Sequence, residues 1–173
     1  MAEGIDLLEL DGEGLYFDEP CLPEVDALIA KAAAHYGTEA EPFLLRAYFL
    51  VPTQLSVLVA LYRYYFYQHR LEDALVVAER ALDVTAGRLH LVDGWRGIGP
   101  VSLGEAVMRS IGLLRFHLLA LKGSAVILLR LGRIEEARRR LEKIVEIDER
   151  DALGANALLA TIAERESATA DAC

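Results

Sequence analysis

The side chains able to do chemistry are few and scattered. The histidines are His35, His69, His90 and His117, and no two stand in an HExxH or comparable metal-binding arrangement. Cys21 and Cys173 lie near opposite ends, outside any paired-cysteine or zinc-type spacing. Ser102 and Ser124 lack the strand–turn–helix surroundings that expose a nucleophilic serine. Gly94, Gly97 and Gly99 resemble a phosphate-binding loop in spacing, but no strand precedes them and Pro100 follows. Carboxylates are abundant, yet sequence alone pairs none of them. These residues predict no catalytic site, no metal and no cofactor. Two clusters suit contact instead. One is the run Tyr62, Tyr64, Tyr65, Phe66 and Tyr67; the other is the triplet Arg138, Arg139 and Arg140. On a helix the aromatic run points in every direction, so several of its rings belong to the core, with Tyr64 and Tyr67 placed to share a surface contact. The arginine triplet reads as a solvated face.

Charge is segregated along the chain. Residues 1–26 hold nine acids and no Lys or Arg, while the remaining 18 acidic residues balance the 18 basic ones. The leader therefore carries the whole net charge of −9. Such a leader disfavours nucleic acid and anionic membrane surfaces and reads as a solvating tail. Being tethered, it is also able to fold back on a basic groove and compete with a partner. The first residues lack the basic n-region of a signal peptide. The most apolar stretch, Ile111 to Leu131, is interrupted by Arg115, His117, Lys122 and Arg130, so no membrane span is expected. A reducing cytoplasm is the expected location. Hydrophobic residues make up 54% of the chain, enough to build a core and leave apolar surface for a partner.

The apolar pattern has helical rather than alternating period, and Gly and Pro punctuate it. Residues 1–20 read as irregular, with Leu15, Tyr16 and Phe17 as a docking point. A helix begins at Pro23, where a missing N–H costs nothing, and stops at Gly37. Thr38 with Glu41 predicts a capping box for a second helix ending before Pro52. Further helices are predicted from Thr53 to Gln68 and from Leu71 to Leu89. A loop follows over 92–101. Ser102 with Glu105 predicts a second capping box, opening a helix to Leu131 that bends near Gly112. The last helices are predicted at 134–148 and 152–165, with a frayed tail at 166–173.

Two segments match in register. HRLEDALVVAERALDVT (69–85) aligns with GRIEEARRRLEKIVEID (132–148), pairing Arg70 with Arg133, Glu72 with Glu135, Ala74 with Ala137 and Glu79 with Glu142. The unit resembles the tetratricopeptide repeat (TPR), a helix–turn–helix of about 34 residues. In that family a small residue ends the first helix, an Ala five residues on admits close helix approach, and a large residue fills the remaining gap. Gly132, Ala137 and Leu141 stand at those places, and His69, Ala74, Ala78 and Ala81 fill the small-residue places of the other unit. Ala40, Leu44, Ala47 and Pro52 fit the second helix of an earlier unit. The resemblance implies an all-α fold: a short right-handed solenoid of three degenerate TPR-like units at 21–54, 55–88 and 118–151. A C-terminal capping helix at 152–165 closes it. The two best units are offset by 63 residues rather than about 34, which makes 89–117 an insertion. The usual early aromatic is Leu58 or Leu121 here, and the closing Pro is Ala86 or Glu149 in two units. Segments 58–82 and 115–144 are also similar to a small TPR protein encoded among bacterial nitrogen-fixation genes, which implies a helper in nitrogenase assembly or regulation.

In this family the first helix of each unit lines a concave groove. The resemblance thus implies a partner-binding set of Val59, Arg63, Phe66, Tyr67, Lys122, Val126, Leu129 and Arg130. Leu22, Val25, Ile29, Ala32 and Ala33 would extend it in the first unit. Val25 and Ile29 replace the polar residues of the family's chaperone-tail clamp, so that ligand is not expected. Arg clamps carboxylates bidentately and Tyr offers contact area at low entropy cost. The expected function is non-catalytic protein–protein adaptor binding to an apolar peptide or helix that carries an acidic group. The alternatives are self-association into a homodimer through the cap residues Leu158, Leu159 and Ile162, or small-ligand sensing with the Trp95 loop as a lid.

Overall fold

Helix boundaries fall where the breakers stand. The computed structural model describes residues 19–35, 37 and 39–170, and these residues contain no strand. The helices are α1 (Pro23–Ala34), α2 (Ala40–Leu50), α3 (Leu55–Tyr67), α4 (Leu71–Leu89), α5 (Pro100–Arg130), α6 (Ile134–Ile147) and α7 (Ala155–Ala170), with a 3-10 turn at Gly94–Gly97. Pro23 occupies the first turn of α1. Acids fill the first turns of α4 and α6, Glu72 with Asp73 and Glu135 with Glu136, where the helix dipole favours them. Most of residues 1–20, including the proposed docking point at 15–17, fall outside the described residues, as does Thr38.

The capping box expected of Thr38 with Glu41 involves a residue outside those described, and the one expected of Ser102 with Glu105 does not form. Glu39, without a side-chain cap bond, stands at the N-cap of α2. Glu41 is engaged elsewhere: it accepts from the Tyr65 hydroxyl at 3.0 Å and from Arg70 Nη1 at 2.8 Å. In α5 the N-cap is Gly99, and Ser102 Oγ accepts its N–H at 2.9 Å. Ser102 is therefore the third helical residue rather than the cap. The bend in α5 comes two residues earlier than Gly112. Ser110 is extended (φ −164°, ψ 105°), and its Oγ accepts from the Leu113 N–H at 3.1 Å, so it caps the second segment. The last helix begins three residues later than expected. Asp148 and Asp151 hold the preceding turn by accepting from the backbone of Leu153 and Asn156. It then runs through 166–170, which the sequence suggested would fray.

Each helix packs mainly against its neighbours in sequence, and α1 also touches α3. Ala47, Ala74 and Ala137 are completely buried, which allows the backbones to approach. Leu55, Leu58, Leu121, Ile127, Leu128, Leu141 and Ile144 form the middle of the core. By length and composition α5 would cross a bilayer, but 67% of its most apolar window is buried inside the fold. It is the central core helix, packed on α4 and α6.

The turns α3–α4 and α5–α6 are built alike, bond for bond. Arg70 N–H donates to Tyr65 O at 2.9 Å, and Arg133 N–H donates to Leu128 O at 2.9 Å. His69 and Gly132 both take left-handed backbone, with φ 57° and 75°. Arg70 Nε then reaches Asp73 and Arg133 Nε reaches Glu136, each at 2.7 Å. The internal match at 63 residues is thus a match of three-dimensional structure.

Candidate binding face

Two stripes on α3 face different neighbours. Ala60, Arg63, Tyr64 and Tyr67 recur at helical spacing and line a cleft with Ile29, Ala32 and Ala33 of α1 and with Ala40 and Leu44 of α2. The cleft holds about 270 Å³ and is mostly apolar. The adjacent stripe, Val59, Tyr62 and Phe66, faces α5. Val59 is buried beside Tyr62, Ala78, Phe116 and Ala120, so it belongs to the core and not to a groove. Arg63, one turn on, lines the cleft instead, a difference that family register did not separate. Val25, Ala32 and Leu119 are likewise buried.

A second, larger cleft of about 690 Å³ lies between α5, the start of α6 and α7. Val126, Leu129 and Arg130 line it with Ile134, Thr161, Ile162 and Arg165. Lys122 is half-buried one turn earlier and lines neither cleft. Phe66 joins the two. Its ring meets Tyr67 edge-on at 6.0 Å, and the Arg130 guanidinium sits 4.9 Å from its centroid. Tyr67 is 46% exposed and Arg130 is exposed. The arrangement is a largely apolar face across α1, α3, α5 and α7, studded with Arg63, Arg130 and Arg165. Chemically it suits an apolar chain segment with an acidic group. Family register missed Ala60, Tyr64, Thr161 and Arg165. The 3.6-residue period from Arg63 and Tyr67 already implied the first two.

Other residues singled out in the sequence turn inward. Tyr62, Tyr64 and Tyr65 are buried, and burial with the Glu41 contact pushes the Tyr65 hydroxyl up to about 12. Arg140 is not solvated. It is buried, donates to Ser124 Oγ at 2.7 Å, pairs with Glu79 and lies over the Trp95 ring. Trp95 is itself buried, and Gly97 in the same turn cannot carry a side chain, because a Cβ would meet Val92 O at 1.9 Å. Ile162 is buried, and Leu158 and Leu159 are half-buried, which removes the exposed apolar cap that self-association through α7 would need. His117 is wholly buried with Nδ1 2.6 Å from Thr85 Oγ1. His35 caps α1 through a contact with Lys31 O at 2.9 Å. Glu19, the described end of the acidic leader, accepts from the Leu55 N–H at the start of α3 and pairs with Arg88. No group of three or more His, Cys, Asp or Glu able to hold a metal occurs among the described residues.

The chain is 48% identical over 165 residues to an uncharacterized 19.8 kDa protein in the nifW 5′ region of Azotobacter chroococcum. The match covers 94% of this chain and 92% of that protein. The chain belongs to that protein's family. No family model matches the chain, and no solved structure matches it.

Proposed function

We propose that this chain is a non-catalytic adaptor that binds an apolar peptide or helix of another protein along the face of α1, α3, α5 and α7. Arg63, Arg130 and Arg165 would meet an acidic group on that segment. The observation carrying this reading is the Phe66–Arg130 contact, which makes one face of two clefts. In this reading α1–α2, α3–α4 and the second segment of α5 with α6 are three TPR-like units, α7 is the cap, and the whole is a short solenoid working in the cytoplasm. The bond-for-bond likeness of the two turns supports it. The relative's position in the nifW 5′ region supports a role as an accessory factor in nitrogenase assembly or regulation.

The test is a pull-down from lysate of nitrogen-fixing source cells. Tagged wild type is compared with an Arg63→Glu/Tyr67→Ala/Arg130→Glu variant whose helicity is unchanged by circular dichroism. A protein held by wild type and lost by the variant supports the adaptor, and nitrogenase-related proteins in that catch support the pathway. An identical catch from both, or none from either, removes this face as the binding site.

A further inference from the structure

The first segment of α5, residues 100–109, shows an apolar stripe that nothing among the described residues covers. Val101 is 77% exposed and Met108 is 87% exposed. Gly104 lies between them on the same helical face, one turn from each, with open space where a Cβ would be. A methionine held in water beside a bare glycine is a knob beside a hole. Glu105 and Arg109 flank the stripe on one side, one turn apart, both exposed. Neither makes an ion pair among the described residues. On the other flank Val107 and Ile111 are also exposed, and they line a cleft of about 350 Å³ with Leu114, Leu118 and Leu153.

We propose that this segment is a self-association surface, at which a second copy of the chain docks in antiparallel orientation. The pattern is self-complementary about a two-fold axis near Ala106 and Val107. Reversing the helix about that point sets Met108 of one copy over Gly104 of the other, twice. In an antiparallel pair related by such an axis, like flanks face each other. Glu105 of each copy therefore meets Arg109 of the other, again twice. A contact in which each patch matches itself is what a two-fold interface requires. Charge selects this occupant over the acidic leader, because the leader has no base to offer Glu105. The patch is at the small end for a stable interface, so the dimer is expected in the micromolar range rather than as an obligate pair. This surface is separate from the face of α1, α3, α5 and α7 proposed for the adaptor.

Sedimentation equilibrium of the full chain through the micromolar range tests the inference. Wild type is expected to approach the dimer mass. Glu105→Arg and Arg109→Glu are each expected to weaken association about tenfold or more, since each sets like charges opposite one another twice. Both positions are exposed, so circular dichroism should show both variants folded. An equal mixture of the two variants is expected to regain the dimer, because one then offers two basic flanks to two acidic ones. A wild type that stays monomeric overturns the proposal. So does a dimer indifferent to either reversal, or a mixture that associates no better than its parts.

Discussion

The guanidinium of Arg130 lies 4.9 Å from the ring centroid of Phe66, tying the end of α5 to the end of α3 between two apolar clefts. An exposed cation–π pair contributes about 0.5–1 kcal/mol. A double-mutant cycle of Arg130→Ala and Phe66→Ala in urea should return a coupling of about that size. The same substitutions should weaken partner binding by more than this, because they also open the junction of the two clefts. Partner affinity that falls only as far as stability does would make the contact purely structural.

His69 and Gly132 occupy one backbone role, and the energies at the two sites should differ predictably. A left-handed residue with a side chain carries a cost of about 1 kcal/mol. Gly132→Ala is expected to lose about that much, measured by chemical denaturation. At His69 the relief from changing to glycine is offset by the greater freedom of glycine in the unfolded chain. His69→Gly should therefore move stability by less than about 0.5 kcal/mol. A large loss at His69 would point to a role for the imidazole itself.

His117 should make stability depend on pH. The Thr85 hydroxyl has a single proton and lies 2.8 Å from Ala81 O, so it donates there and accepts from His117 Nδ1–H. Nε2 is left buried without a partner. Burial pushes the pKa down to about 4 from an ordinary 6.5. The unfolded chain then takes a proton below 6.5 that the folded chain refuses until about 4. Stability from the neutral ring is full above 6.5, declines as pH falls and is gone below 4. The difference is about 3 kcal/mol at most. Wild-type stability minus that of His117→Phe, followed from pH 7 to pH 4, should fall by an amount of this order. A flat difference would mean that the imidazole titrates normally.

The buried charge at Arg140 predicts an asymmetry. Its side chain is 7% exposed whereas that of Glu79 is 40% exposed. Glu79→Ala strands a guanidinium away from water and should cost about 2–3 kcal/mol. Arg140→Met removes the charge, keeps the stem that packs on Trp95 and should cost less. Trp95 is the chain's single tryptophan and is buried between Arg96 and Arg140, so its fluorescence reports both unfolding transitions.

Much of the helical order was legible because local signals act locally. Pro23 and Gly132 sit where the sequence placed them, and Leu71–Leu89 has the expected bounds. What failed depended on contacts across the fold. Glu41, expected to serve a local cap, bonds Tyr65 and Arg70, residues more than twenty positions away. Arg140 looked like one of three solvated arginines until α4 supplied Glu79 and α5 supplied Ser124. The candidate face was half legible. Arg63, Tyr67, Val126, Leu129 and Arg130 line the clefts, whereas Val59 turned inward, because neighbouring stripes of α3 meet different helices.

The strongest packing runs between helices adjacent in the chain, and this has a consequence for how such a molecule changes over time. A lengthened link between two neighbours disturbs those neighbours and little beyond them. The stretch between α4 and α6 can thus change in length without redesign of either end, leaving the first segment of α5 free to take on a task of its own. The same arrangement makes opening a progressive event that starts at the termini. Deuterium should enter the amides of α7 well before those of α4, like a row of dominoes leaning on a fixed middle.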